Sequence, residues 1–258
     1  MQIKSFHRTV KFLGGLFLFC TYSFGFGQVN TQTQNAKVKL SQIKNFALQK
    51  GELEVQLEMD NGKYWDMHIY IPEINEGTKI PLSLALHWAG GGETFSEYAN
   101  CLAVPSLKSL GGIIISPSGN YKHWVEPSNE TKVIDLVKKI IKYWPVDPDK
   151  ILVTGYSNGG IGSWYYARKY PKLFAAAIPI AAFYSKHKVA SPVFAIHGEN
   201  DELFNLKEAI AFIEQSKSNG SNIELTIAKG KSHYMACSYI TELKQAVEKV
   251  KQEVFKIE

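Results

Sequence analysis

Cysteine is scarce, with three residues in 258. That excludes a disulfide-scaffolded fold, and no Cys/His spacing resembles a zinc site. A basic run of the kind that marks a nucleic-acid partner is also missing. The formal net charge is +5, but Lys4, Arg8 and Lys11 lie in a segment with no acidic residue before Gly27. Without those three the count is 26 basic against 24 acidic residues, so the body of the chain is nearly neutral. No internal repeat occurs. The longest apolar stretch, "FLGGLFLFCTYSFGFG" (Phe12 to Gly27), is short for a membrane span and interrupted by glycines and aromatics. What is present is an ordinary globular balance, 45% hydrophobic and 21% charged. It suits one α/β domain with a sizeable core.

The N-terminus reads as a secretory signal over residues 1–27. A basic region from Lys4 to Lys11 precedes the apolar stretch, and Gly25 and Gly27 are small residues before a cut ahead of Gln28. The expectation is a secreted or periplasmic protein with no stable membrane association after cleavage. An uncleaved anchor is the alternative. A lipoprotein would use Cys20, but Phe19 is bulky where a small residue is needed. Residues 28–45 are polar and Gln/Asn-rich and read as a flexible lead-in. Cys101 and Cys237 then remain. Whether they pair stays open, and two separate buried thiols is the simpler expectation.

Residues Glu52–Met59 and Lys63–Pro72 alternate around Asp60-Asn61-Gly62, which predicts a hairpin. The pattern then changes to continuous apolar runs: "LSLALH", "GIIIS", "KILVTG", "FAAAIPIAA", "PVFAIHG" and "IELTIA". Such runs suit strands covered on both faces. Val133, Leu136, Val137, Ile140, Ile141 and Trp144 recur at helical steps, as do Leu243, Val247, Val250 and Val254. Buried strands alternating with amphipathic helices imply a mostly parallel central sheet flanked by helices, with an antiparallel N-terminal hairpin at one edge.

"TGYSNGG" (Thr154 to Gly160) joins a buried strand to a helical pattern. Gly155-x-Ser157-x-Gly159 at a strand-to-helix junction is the setting of a nucleophile elbow. Glycines let strand and helix approach while the serine takes a strained backbone. Alone, the motif reads equally as a glycine-rich turn. A serine also needs a base. Of seven histidines, His7 is in the signal, His68 is in the hairpin, His87 and His197 end buried strands, and His123 and His187 fall out of order. His233 follows the last strand and precedes the last helix, the place expected of the base. The acid belongs after the strand ending at His197, where Glu199, Asp201 and Glu202 stand. Asp201 is preferred, to hold the tautomer of His233. Its competing reading is a helix N-terminal acid, with Glu199 taking its place.

At these residues the chain resembles α/β-hydrolase serine esterases of the putative-esterase group. That group includes feruloyl and acetylxylan esterases, polyhydroxybutyrate depolymerase-like proteins and phospholipase/carboxylesterase-like enzymes. Val146 to Ala182 resembles their nucleophile region, "LALHWAGGG" their oxyanion loop, and "AIHGENDELF" and "GKSHYM" their acid and histidine segments. The resemblance runs from Pro81 to the C-terminus and implies a single α/β-hydrolase domain over 46–258. It implies ester cleavage by a Ser-His-Asp acyl-enzyme route without metal or organic cofactor. It also places the oxyanion donors at the backbone N–H groups of Ala89 and Asn158. Trp88 stands where many relatives carry glycine, and Asn158 where they often carry methionine.

Trp88, Trp124, Phe183 and Tyr234 lie at or beyond strand C-termini, where ligands of open α/β sheets bind. They are the candidate substrate contacts, while Trp164 is expected in the core. A small-molecule or oligosaccharide ester is the expected substrate. The rival readings are a peptidase of the prolyl-oligopeptidase type and a non-catalytic binding protein on the same scaffold.

Overall fold

The structure is a computed structural model that describes residues 34–184 and 188–257. The expected signal segment and His187 lie outside the described residues. Among the described residues, nine strands form one sheet in the order β1-β2-β3-β5-β4-β6-β7-β8-β9. Strands β4 (Ile80–Leu86), β5 (Ile113–Pro117), β6 (Val146–Tyr156), β7 (Ala176–Ile180), β8 (Val193–Gly198) and β9 (Ile223–Ala228) are mutually parallel. Strands β2 (Gly51–Glu58) and β3 (Tyr64–Ile71) form the expected hairpin, and β3 joins β5 in antiparallel register. In its turn Gly62 takes φ 73°, a left-handed conformation that suits glycine.

The hairpin does not sit at the edge. Outside it β1 (Gln34–Lys39) runs parallel to β2, and a 3₁₀ turn follows at Leu40–Asn45. This corrects the expected flexible lead-in over 34–45, while residues 28–33 lie outside the described residues. Ala36 and Val38 pack against the core, Leu40 and Ile43 are buried, and Trp144 donates its indole N–H to the Ile43 carbonyl at 3.0 Å. Few but regularly placed apolar residues anchor a segment whose composition is polar.

Each central strand is buried on both faces, as its sequence requires. Leu84 and Leu86 join one apolar cluster while Ala85 joins the other. Ile113 and Ile115 divide from Ile114 in the same way, and Val153 from Leu152. This period-two alternation puts neighbours on opposite sides of a pleated strand. Helix α3 (Pro127–Tyr143) buries Val133, Leu136, Val137 and Ile140, the residues whose spacing predicted it. Helix α4 (Asn158–Lys169) begins directly after Ser157, and Trp164 on it is in the core as expected. Helix α5 (Leu206–Ser218) is capped by the Asn205 side chain, which accepts from the Lys207 N–H. Helix α6 (Ile240–Lys249) lies beyond β9. No helix among the described residues is long and apolar enough to cross a membrane.

No periodic signal in the sequence marks the segment after β4. There α1 (Thr94–Tyr98), a π turn (Ala99–Ala103) and α2 (Val104–Leu107) follow one another. Each piece is too short to display a helical period. The arrangement that matters for the site is the adjacency of β4 and β6. Their C-terminal ends deliver the loop "HWAGGG" and Ser157 side by side.

Candidate active site

The glycines around Ser157 answer to collisions that their neighbours would suffer. A Cβ on Gly159 would stand 1.8 Å from the Leu86 carbonyl oxygen, and one on Gly155 would stand 2.4 Å from the Gly159 carbonyl oxygen. A Cβ on Gly160 would meet the Ile180 carbonyl oxygen at 2.6 Å. Helix α4 can therefore close onto β4, β6 and β7 only if all three lack side chains. Ser157 sits at φ 54°, ψ −114°, a strained conformation for a residue with a Cβ. Its N–H donates to the Ile180 carbonyl at 2.9 Å and its own carbonyl accepts from Ile161 N–H. The hydroxyl is thus held at the start of α4, where the first N–H groups have no partner within the helix.

His233 comes to this hydroxyl from the segment between β9 and α6. Its Nε2 lies 2.9 Å from Ser157 Oγ. Its Nδ1 lies 2.9 and 3.1 Å from the two carboxylate oxygens of Asp201. An ionised carboxylate can only accept, so Nδ1 carries the proton and Nε2 is left to accept from the serine. Burial alone would push the Asp201 carboxyl upward. The hydrogen bonds from His233 and from Phe204 N–H outweigh it and hold the group below its usual value. Asp201 is 5% exposed and also accepts from Leu203 N–H.

The neighbouring carboxylates are occupied elsewhere. Glu199 accepts from Gly230 N–H, and Glu202 accepts from the backbone N–H of His233. Tyr156, the variable residue before Ser157, donates its hydroxyl to the His233 carbonyl at 2.7 Å. The ring of His233 stacks on Phe204 with centroids 5.6 Å apart. The backbone and the ring of His233 are therefore fixed by separate partners. Sequence reasoning missed Tyr156, Glu202 and Phe204 in this role, because only the folded chain brings them to residue 233.

A cleft of about 640 Å³ opens over Ser157 and His233. Ala89 lines it beside Ser157. Its other walls carry Trp88, Leu203, Tyr234, Met235 and Cys237. Trp88 is half-buried, edge-on to the rings of Tyr98 and Tyr156. Tyr234 is 75% exposed.

Two of the candidate substrate contacts are corrected. Trp124 is 0% exposed, donates its indole N–H to the His87 carbonyl and lies edge-on to the His87 ring. It is a core residue that holds the start of the "HWAGGG" loop from behind. Phe183 does not line the cleft and packs on Phe204 and Phe212. Leu203 and Met235 line the cleft instead; both lie in the acid and histidine segments, but nothing in the sequence marks either as a substrate contact. The Asn158 side chain also faces away from the cleft. Its Oδ1 accepts from His123 Nδ1 at 3.0 Å, and its amide donates to the Lys122 carbonyl.

Cys101 and Cys237 are joined in a disulfide across 136 residues, with Cα atoms 5.2 Å apart. This overturns the expectation of two separate thiols. The bridge ties the π turn after the "HWAGGG" loop to the segment four residues beyond His233. The buried His87 also braces that loop. Its Nδ1 donates to the Trp88 carbonyl and its Nε2 accepts from Gly119 N–H at 2.7 Å. Desolvation lowers its pKa to about 4, so the ring is neutral in the fold. Among the described residues, no group of three His, Cys, Asp or Glu side chains is placed to hold a metal ion.

The chain is similar to a bifunctional acetylxylan esterase/xylanase of Neocallimastix patriciarum, 23% identical over 163 residues, 60% of this chain and 24% of that protein. It is also similar to a probable acetylxylan esterase A of Aspergillus fumigatus, 30% identical over 136 residues, 46% of this chain and 36% of that protein. The chain thus spans well under half the length of these curated relatives. Its fold is that of an α/β hydrolase. A solved ferulic acid esterase superposes with a TM-score of 0.65 at 17% identity, covering 79% of this chain and 99% of that one. Residues 120–257 match the model of the dienelactone hydrolase family. That span exceeds half of the chain and includes Ser157, Asp201 and His233, though not the oxyanion loop; on it, the chain belongs to the dienelactone hydrolase family.

Proposed function

We propose that the protein is a secreted serine hydrolase that cleaves carboxylic esters through an acyl-enzyme. The observation that carries this reading is the hydrogen-bonded line from Ser157 Oγ through His233 to Asp201, anchored on a strained serine at a helix start. His233 Nε2 takes the serine proton as Oγ attacks the ester carbonyl. The N–H groups of Ala89 and Asn158 hold the oxyanion, a contribution of roughly 3 to 4 kcal/mol per donor. The imidazolium, stabilised by Asp201, then protonates the leaving alcohol. Water repeats the sequence on the acyl-serine and restores the enzyme.

The expected substrate is a small acyl or aryl ester carried on a carbohydrate. The names of the acetylxylan and ferulic acid esterases to which the chain is similar support that class. So does a cleft walled by Trp88, Tyr234 and Met235, which suits an aromatic or short acyl group over a charged one. Secretion is supported by the signal-like sequence before Gln28 and by the disulfide, which persists in oxidising compartments.

Treatment with a fluorophosphonate followed by peptide mass mapping tests the chemistry. A single adduct on Ser157 is expected, together with turnover of acetyl and feruloyl esters. A folded protein with no adduct on Ser157 would overturn the reading. Turnover of amides without esters would replace the ester hydrolase with a peptidase.

A further inference from the structure

A second cleft, of about 540 Å³, lies between the β2–β3 hairpin and α3, away from Ser157. Three ammonium groups line it: Lys63 from the hairpin, Lys122 from the loop after β5, and Lys132 from α3. Seven other lysines are tied into salt bridges with carboxylates, at positions 39, 50, 150, 169, 217, 231 and 249. Among the described residues, none of the three in this cleft has such a partner. Lys122 reaches only the Ser128 hydroxyl, at 3.3 Å. Lys132 is half-buried, with its nitrogen 4.9 Å from the centroid of the fully buried Trp65 ring. Asp60 and Asp135 also line the cleft, so three cations face two anions there.

The charges act on one another. Desolvation first, and then the charges of Lys122 and Lys63, draw the Lys132 ammonium below its ordinary value. An incoming anion would offset the mutual repulsion of the three ammonium groups. The rest of the lining is not that of a bare ion site. Tyr64 offers a ring that is 53% exposed, and Thr131 and Asn61 add hydroxyl and amide groups. An aromatic face beside hydrogen-bonding groups suits a sugar ring, which has an apolar face and a polar rim. Lysines supply point charges that accept a single carboxylate in several geometries.

The position also has meaning. Asn120 and Lys122 line this cleft, and the same loop contacts the Asn158 side chain next to Ser157. One short loop therefore separates the two clefts.

We propose that the cleft binds an acidic saccharide, with a uronate carboxylate among Lys63, Lys122 and Lys132 and a sugar ring against Tyr64. It does not depend on the serine chemistry, because binding is read without turnover. Calorimetric titration with a galacturonic acid trimer, a neutral xylose trimer and inorganic phosphate tests it. The acidic trimer is expected to bind at least about tenfold more tightly than the neutral one, and more weakly as salt rises. Lys63→Gln with Lys132→Gln should weaken it by about tenfold, while Lys132→Arg keeps most of the affinity. Lys63→Gln alone lies on an exposed hairpin and should weaken binding severalfold with an unchanged melting temperature. An unchanged far-UV circular dichroism spectrum and a cooperative melting transition in every variant serve as the control for folding.

The proposal is overturned if the acidic trimer does not bind or if the neutral trimer binds as well. It is equally overturned if the double variant binds undiminished. Phosphate binding as tightly as the trimer would make this a small-anion site and overturn the saccharide reading.

Discussion

Three carboxylates follow β8 within four residues, and their hydrogen bonds separate their work. Asp201 meets the His233 ring, Glu202 meets the His233 backbone, and Glu199 meets Gly230. Asp201→Asn keeps the shape but removes the charge and allows the wrong imidazole tautomer, so kcat on p-nitrophenyl acetate should fall by about 10⁴-fold. Glu199→Gln alters one loop hydrogen bond and should leave kcat within a few fold. If Glu199→Gln abolished turnover while Asp201→Asn spared it, the acid would have been assigned to the wrong residue. Chain order brings these three carboxylates forward together, and the fold adds the contacts that tell them apart. The same limit explains Trp124. Its place beyond a strand end put it in the right neighbourhood. Which way its ring turns depends on the His87 carbonyl, 37 residues earlier. The glycines were legible because their reason is local. A strand that turns sharply into a helix needs bare positions on both sides of the serine, and Gly155 and Gly159 meet that need within five residues.

Elements that repeat a period over many residues could be read directly, as with α3, α6 and the buried strands. Those shorter than a full period could not be, and α1, the π turn and α2 are of that kind. The β1 strand escaped for a different reason. Its polar composition masks Ala36 and Val38, and its partner β2 becomes evident only when the sheet is assembled. The disulfide is the extreme case. Nothing near Cys101 in the sequence indicates Cys237, yet the bridge joins the two elements that flank the oxyanion loop and His233. Closing a loop of 136 residues restricts the unfolded chain, which on the chain-entropy account contributes about 5 kcal/mol as an upper figure. The Cys101→Ala/Cys237→Ala variant should therefore unfold at a clearly lower urea midpoint, by roughly 2 to 5 kcal/mol of stability. Because Cys237 also lines the cleft, KM for bulky aryl esters should rise more than kcat falls. An unchanged urea midpoint would show that the bridge does not restrain the unfolded chain.

At the scale of the whole molecule, the body is nearly neutral, so a few buried groups dominate its response to acid. His87 is the clearest. It is 1% exposed, and its pKa is lowered from 6.5 to about 4 by desolvation. The unfolded chain takes up a proton there below about pH 6.5, whereas the folded chain resists until about pH 4. The unfolded state thus binds more protons in that window, so stability rises with pH across it and falls as pH drops from 6.5 to 4. The full swing for this one residue is roughly 3 kcal/mol. His197, also lowered by desolvation, acts in the same direction. Asp201 enters at lower pH. Its carboxyl is held below the usual value of 3.8, and the stability this gives is present above that value and lost as the carboxyl is protonated. All three effects therefore destabilise the fold toward acid, in two successive ranges. Urea unfolding from pH 7.5 down to 4 reads the histidine range alone, because the Asp201 range lies below it. The wild type should lose stability steadily below about pH 6.5. His87→Gln removes the titrating ring, so its stability should start lower but fall less steeply across the same window, by up to about one proton's worth of slope. Equal slopes in the two proteins would mean that His87 takes up its proton in the fold as readily as in the unfolded chain. Its Nε2 would then carry a proton in acid and could not accept from Gly119, and the loop after β4 would need another brace there.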